Sequence, residues 1–246
     1  MKYDGIDTAV LTNQIKVKGG NCMLFDNDYF SDKVINCFSD STTWGDDSTG
    51  GGGNGISWTS HLQELIPFKK VNNFGKKGSR IAVCSDREDS FVERYLDMDK
   101  DADYIVVFGG VNDFVNNVPL GSIDKNDPHT FLGALDTIIN GLNDQYPNAT
   151  LVFMTPTKTS FAHSKEPYPN SFQKNQAGHT QGDYASAMIE ICHHYSIPVI
   201  DLFNISGISP FLANSERYMP DGTHYSPLGY EKLAHRIVGE LFRYLI

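Results

Sequence analysis

The sequence YIVVF at Tyr104–Phe108, followed directly by GGVND at Gly109–Asp113, carries the clearest fold signal in the chain. An unbroken apolar run that is rich in β-branched and aromatic residues is typical of a strand buried on both faces. Strands of this kind form parallel sheets with helices packed on each side. The passage therefore predicts an α/β domain with polar side chains directly after a buried strand.

Further apolar runs extend the same pattern on either side of this passage. They are Val34–Phe38, Phe68–Asn73 (the weakest), Thr150–Met154 and Ile197–Leu202. Between the runs, apolar residues recur at the spacing of a helix face. The two clearest internal sets are Phe131, Leu135, Ile138 and Leu142, and Tyr184, Met188, Cys192 and Tyr195.

The last helix has the most complete set of sequence signals. Ser226 is a suitable N-cap and Pro227 suits the first turn. The buried stripe of this helix would comprise Tyr230, Leu233, Ala234, Ile237, Leu241 and Leu245. The alternation of strands and helices predicts a three-layer α/β/α sandwich.

The length and the composition favour one domain. A chain of 246 residues with 40% hydrophobic residues can bury one continuous core. We assign residues 33–246 to this domain. Residues 1–32 fit the alternation of strands and helices poorly, and we interpret them as an N-terminal arm of uncertain structure or the remnant of a longer parent protein.

Charge and composition exclude several classes of function. The formal charge of −10 argues against nucleic-acid binding, because phosphates are neutralised by clustered Lys and Arg. No apolar stretch reaches the ~18–20 residues of a membrane span. The cysteines lack the spacing of a zinc site and are typical of small buried side chains. With no export signal in this sequence the default location is the cytoplasm, whereas a longer parent would be compatible with secretion, a cell surface or a phage particle.

Polar residues with catalytic potential follow the strands. They lie in Ser39–Thr42, Asn73–Gly78 and Gly110–Asp113, and in Asp221–His224 before the last helix. Ligands of open α/β sheets bind outside the carboxyl ends of the strands. A serine, glycine-flanked N–H donors, an asparagine and an Asp–His pair are together the groups that acyl transfer requires.

These blocks, in this order, resemble those of the SGNH or GDSL-type serine hydrolases. They read SDST, NFGKKG, GVND and DGTH, and they span most of the chain from Val34 to His224. Each block alone is weak, but together they are specific. The resemblance implies a five-stranded parallel sheet in the order 2-1-3-4-5. It also implies an esterase that works through an acyl-enzyme, without a metal ion or an organic cofactor.

The resemblance implies roles that these residues can perform physically. Ser41 would be the nucleophile, His224 its general base, and Asp221 the carboxylate that orients the imidazole. The backbone N–H groups of Ser41 and Gly78 and the side-chain amide of Asn112 would hold the oxyanion. Each residue alone has an ordinary structural interpretation, such as an N-cap, a turn or a surface histidine, and the joint pattern favours catalysis.

Several neighbouring residues need separate interpretations. Ser39 stands where the family usually has glycine, so its side chain adds bulk or a new hydrogen bond. We interpret Asp113 as a structural hydrogen-bonding partner rather than a catalytic group. Trp44 and Arg80 are predicted substrate contacts, although Arg80 also fits a solvated basic turn together with Lys76 and Lys77.

Two long polar loops, Asp46–Gly55 and Pro156–Gln181, would rim the site. They offer little apolar surface to a long acyl chain, and aromatic residues lie in or near them: Trp44, Trp58, Phe161, Tyr168 and Phe172. We therefore predict a small-molecule or glycan ester as the substrate, most specifically an acetyl ester of a carbohydrate. The alternatives are a catalytically silent glycan-binding module, an O-acyltransferase and a lipid esterase.

Overall fold

The computed structural model describes residues 28–162 and 167–245. This part of the chain contains a five-stranded sheet in the order β2-β1-β3-β4-β5, and every neighbouring pair of strands is parallel. The strands are β1 (Val34–Ser39), β2 (Lys70–Gly75), β3 (Tyr104–Phe108), β4 (Thr150–Met154) and β5 (Val199–Ile200). The predicted sheet and its strand order are confirmed.

Helices cover both faces of this sheet. They are α1 (Ser41–Trp44), α2 (Trp58–Leu65), α3 (Phe91–Arg94), α4 (Val111–Val115), α5 (Phe131–Gln145), α6 (Gln181–His194), α7 (Leu202–Ile205) and α8 (Pro227–Leu245). Side chains alternate along the strands between two apolar clusters, because successive residues of a strand point to opposite faces. Ile105 and Val107 of β3 pack towards α5 and α6. Val106 and Phe108 pack towards α2 and α8 on the other face.

Three strands differ in extent from their prediction, the first only by the added Ser39. The second strand begins at Lys70 rather than at Phe68 and continues to Gly75. It is an edge strand that pairs only with β1, so its outer residues remain partly exposed and its apolar pattern is weak. The fifth strand is shorter than Ile197–Leu202, because Pro198 has no N–H to donate and Leu202 already begins α7.

The last helix begins as its sequence signals predict. Ser226 Oγ accepts the N–H of Gly229 at 3.1 Å, and α8 begins at Pro227. Thr130 caps α5 in the same way through the N–H of Gly133. These caps fix where each helix starts and therefore where the loops before them lie.

The predicted arm of residues 1–32 falls mostly outside the described residues, as does Cys22. Its described end packs on the domain, since the ring of Phe30 is completely buried among Phe68, Tyr104 and Phe242. Within the described ranges no helix has the length and apolar character needed to cross a bilayer. The same ranges contain no cluster of His, Cys, Asp and Glu suited to a metal ion.

Candidate active site

The four sequence blocks meet at the carboxyl edge of the sheet. They follow β1, β2 and β3, which are adjacent, and the Asp221–His224 block reaches the same edge just before α8. A cavity of about 520 Å³ opens there. Its lining includes Ser41, Gly78, Arg80, Asn112, Phe161 and His224.

The short helix α1 presents Ser41 to the cavity. The Asp40 carboxylate caps this helix by accepting the N–H of Thr42 at 2.9 Å. The turn also ends sharply, since Gly45 adopts the left-handed conformation at the C-cap. Ser41 is the first helical residue after β1, and it is 5% exposed.

A tight loop positions the histidine. Asp221 Oδ1 accepts the backbone N–H groups of Thr223 at 2.8 Å and His224 at 2.7 Å. Gly222 has a φ of +78°, and a Cβ at this position would lie 2.2 Å from Ser160 Oγ. Glycine is therefore required both for the backbone conformation and for the close approach of the neighbouring loop.

Ser41, His224 and Asp221 form one continuous chain of hydrogen bonds. His224 Nε2 lies 3.1 Å from Ser41 Oγ, and His224 Nδ1 lies 2.7 Å from Asp221 Oδ2. If Nδ1 carries the proton, Nε2 is free to accept a proton from the serine. This is the geometry that general-base activation of a serine hydroxyl requires.

A second carboxylate faces the same imidazole. Asp46 Oδ2 lies 3.9 Å from His224 Nε2 and forms an ion pair with Lys77 Nζ at 3.0 Å. Burial lowers the pKa of His224, but hydrogen bonding and charge from Asp221, followed by the charges of Asp46 and Asp40, outweigh it and raise the pKa above 6.5. The pKa of Asp221 is lowered, because its bonds to His224 and the loop N–H groups outweigh its burial.

The residues predicted to donate to the oxyanion, Ser41, Gly78 and Asn112, line the same cavity. Asn112 Nδ2 donates to the carbonyl of Ser79 at 3.0 Å and lies 3.4 Å from Asp40 Oδ2. The longer contact is weak, so one amide hydrogen of Asn112 is available to a ligand. No described residue accepts the backbone N–H of Ser41 or of Gly78.

The second block is built by close backbone approach. A Cβ on Gly75 would lie 2.1 Å from the backbone nitrogen of Trp44, so only glycine allows β2 to end against α1. The Asn73 amide donates to the carbonyl of Thr43 at 2.5 Å and therefore joins the same two elements. Gly78 has a φ of +72° and lines the cavity.

Asp113 and Ser39 stand behind the site. The buried carboxylate of Asp113 accepts the N–H groups of Ile81 at 2.9 Å and Ala82 at 3.0 Å, which is the structural role expected for it. Burial raises its pKa to about 6. The hydroxyl of Ser39 is buried and has no hydrogen-bond partner among the described residues, so Ser39 adds bulk without a new bond.

Arg94 is a residue that sequence reasoning missed. Its guanidinium donates to the carbonyl of Phe74 at 2.8 Å and to that of Ser39, and so joins the ends of β2 and β1. It also donates to Ser79 Oγ at 3.2 Å and lies 4.5 Å from the centre of the Phe38 ring. Burial lowers its pKa to about 10, which still leaves it charged at neutral pH. Arg94 thus holds together the strand ends that carry the first two blocks.

The predicted substrate contacts have different surroundings. Arg80 lines the cavity and pairs with Asp86 through two bonds of 2.8 and 2.7 Å. Trp44 does not line the cavity, and its ring lies beneath the ammonium group of Lys77 at 4.0 Å.

The aromatic residues in and near the two loops also differ in whether they line the cavity. Phe161 and Tyr168 line the cavity, with ring centres 5.2 Å apart. Trp58, just beyond the first loop, is completely buried and donates to Thr43 Oγ1 at 2.9 Å, so its ring offers no surface to a ligand. Phe172 is 64% exposed and packs on Phe211 outside the cavity.

The fold together with this site is that of an SGNH-type serine hydrolase. Residues 37–232 match the GDSL-like Lipase/Acylhydrolase family, and the chain belongs to that family. The comparison with curated proteins gave no match.

Several solved structures are similar to the chain. One shares 56% identity at a TM-score of 0.83, over 87% of this chain and 98% of the other. A protein from Lactobacillus plantarum shares 27% identity at a TM-score of 0.75, over 88% of this chain and 99% of the other. The lipase/acylhydrolase from Enterococcus faecalis shares 20% identity at a TM-score of 0.58, over 85% of this chain and 95% of the other, and this likeness concerns the fold alone.

Proposed function

We propose that the protein hydrolyses short acyl esters, acetyl esters of carbohydrates in particular, through an acyl-enzyme on Ser41. The observation that carries this proposal is the chain of hydrogen bonds from Ser41 through His224 to Asp221. In the acylation step Ser41 Oγ bonds to the ester carbonyl carbon while its proton passes to His224 Nε2. The tetrahedral intermediate then expels the alcohol, which takes that proton.

Deacylation repeats these events with water as the nucleophile. The oxygen of the water attacks the acyl carbon while His224 Nε2 accepts a proton from the water. His224 then gives this proton to Ser41 Oγ as the acid leaves. In both steps negative charge develops on the former carbonyl oxygen. The amide of Asn112 and the N–H groups of Ser41 and Gly78 can donate to it, because no described residue takes the two N–H groups.

The lining of the cavity supports a short acyl group. Among the described residues that line it, the apolar side chains are Val111, Val115, Phe161 and Tyr168, and the others are polar, charged or glycine. Each methylene of a long acyl chain gains ~0.8 kcal/mol only where it meets apolar surface. A polar cavity therefore favours an acetyl group over a long chain, and its hydrogen-bonding side chains suit a sugar hydroxyl as the leaving group.

Acyl-chain selectivity tests this proposal. We expect kcat/KM for p-nitrophenyl esters to be highest for acetate and to fall steadily through butyrate, octanoate and dodecanoate. The protein should also release acetate from acetylated xylan and pectin fragments. A kcat/KM that rises to octanoate or beyond, with no acetate released from any glycan, would instead identify a lipid esterase.

The replacement Asn112→Ala is expected to lower kcat by ~10²–10³ with a smaller change in KM. The Asn112 amide meets a charge that develops only in the transition state, so its loss affects the chemical step more than ground-state binding. The measurement is steady-state hydrolysis of p-nitrophenyl acetate. Asn143→Ala is the matched control, since Asn143 is an exposed asparagine of α5 that does not line the cavity. Equal kcat values for Asn112→Ala and the unmodified protein would remove Asn112 from the oxyanion site.

The pH profile should report the ionisation of His224. Only the neutral imidazole accepts the serine proton, so kcat/KM falls as the pH drops through the pKa of His224. Because that pKa is raised, the acid limb should lie above pH 6.5. Asp46→Asn removes a charge that helps to raise the pKa, and it should move the acid limb to lower pH.

Asp47→Asn is the control for this shift. Asp47 lies in the same loop, but its carboxylate bonds to Thr49 rather than facing the imidazole. It should leave the acid limb in place. An acid limb that is identical in Asp46→Asn and the unmodified protein would show that Asp46 does not act on the base.

A further inference from the structure

A second groove continues from the catalytic cavity. It has a volume of about 610 Å³, and it shares Val115, Asn116 and Tyr168 with the cavity around Ser41. Pockets for small ligands span ~300–1,000 Å³, so the groove is itself large enough for a ligand group. A substrate that extends from the cavity past Tyr168 would enter it.

The loop that forms one wall of the groove is fixed to the rest of the domain. Asn175 is 7% exposed, and its amide donates to the carbonyl of Phe114 at 2.8 Å and to Tyr184 Oη at 2.9 Å. The backbone N–H of Gln176 donates to Asn117 Oδ1 at 2.7 Å. These bonds attach the loop that forms one wall to the end of α4, so the groove is present before any ligand binds.

The described residues in the walls of the groove offer hydrogen bonds. In the described part of the chain nothing pairs with the exposed side chains of Lys174 and Gln176, nor with the amide nitrogens of Asn117 and Gln173. Among the described residues that line the groove there is no carboxylate, although the protein has a formal charge of −10. The aromatic ring of Tyr168 lies at the junction with the catalytic cavity and is 37% exposed.

We propose that this groove binds the sugar units next to the acylated one, so that the substrate is an O-acylated oligosaccharide rather than a single acylated sugar. The inference rests on the function proposed above. Amide side chains, an ammonium group and a flat ring match the hydroxyl groups and the apolar face of a pyranose. A fatty acyl tail would need a continuous apolar wall, and the groove instead combines Val115 and the segment Pro167–Pro169 with amide and ammonium side chains.

The described lining residues also extend the proposal to acidic sugars. A uronate in the groove would meet Lys174 and no carboxylate among the described residues that line it. Neutral and acidic oligosaccharides are therefore both accommodated.

The test compares substrates of different length that carry the same acetyl group. The substrates are a disaccharide and two tetrasaccharides, acetylated on the non-reducing or the reducing terminal unit, each built on a xylose and on a galacturonate backbone. We expect one tetrasaccharide to exceed the disaccharide in kcat/KM by about tenfold, mainly through KM, because distal units bind equally in ground state and transition state. The double replacement Lys174→Ala and Gln176→Ala should reduce this ratio to about twofold or less.

Gln145→Ala is the matched control, since Gln145 is exposed at the end of α5, outside the residues that line the groove. It should keep the full length ratio. Hydrolysis of all substrates with equal kcat/KM on both backbones would overturn the groove assignment while leaving the proposed function intact. Turnover of p-nitrophenyl acetate without any release of acetate from glycans would overturn both the glycan assignment and the groove.

Discussion

Replacing Ser41 with alanine is expected to lower ester turnover by a factor on the order of 10³–10⁶ while leaving the protein folded. The hydroxyl of Ser41 is the only serine hydroxyl among the described residues that bonds to His224 Nε2. Without it the imidazole has no nucleophile to activate. The residual rate would come from direct attack of water on the ester, with the developing oxyanion still stabilised by its donors.

Hydrolysis of p-nitrophenyl acetate and labelling by a fluorophosphonate measure this effect. The unmodified protein should be labelled at Ser41, and Ser41→Ala should not be labelled. Ser39→Ala is the matched control, because Ser39 ends β1 two residues before Ser41 and its hydroxyl is buried and unpartnered in the described part of the chain. It should keep its activity and its labelling. A fluorophosphonate adduct on a different serine would refute the assignment of Ser41.

The strands were predictable from the sequence where helices bury both of their faces. Tyr104–Phe108 and Thr150–Met154 were predicted with the bounds that the structure has, because strands covered by helices on both faces read as unbroken apolar runs. The edge strand was displaced in the prediction, since one of its sides is exposed and polar residues such as Asn72 and Asn73 interrupt the pattern. The pattern of apolar residues in a sequence reflects which side chains are buried, so the pattern is weaker where a strand is only partly buried.

The convergence of the four blocks was predictable from topology. Ser41 and His224 are 183 positions apart, yet both follow from the rule that sites lie at the carboxyl edge of a parallel sheet. Asp46 and Arg94 were not predictable in the same way. Asp46 approaches the imidazole through the fold of a glycine-rich loop, and Arg94 reaches two strand ends from α3. Such contacts depend on which side chains meet in the folded protein. Neither a sequence motif nor the periodicity of apolar residues contains that information.

Asp221→Asn is expected to lower kcat by a factor on the order of 10⁴, although the replacement has the same shape. Asp221 Oδ1 accepts the backbone N–H groups of Thr223 and His224, so the asparagine oxygen should occupy this position. The asparagine NH₂ group would then face His224 Nδ1 and donate to it. This reverses the tautomer and places the imidazole proton on Nε2, where it points at Ser41 Oγ instead of accepting the serine proton.

Two measurements separate this effect from unfolding and from simple loss of charge. Asp221→Asn should keep the melting temperature, since the loop N–H groups retain their acceptor, and the ¹⁵N shifts of His224 should show the proton moved from Nδ1 to Nε2. Asp46→Asn also removes a carboxylate near the imidazole, but it does not bond to Nδ1. It should therefore shift the pH profile without the large fall in kcat. A loss below about tenfold in a folded Asp221→Asn protein would contradict the orienting role, because the wrong tautomer cannot act as the general base.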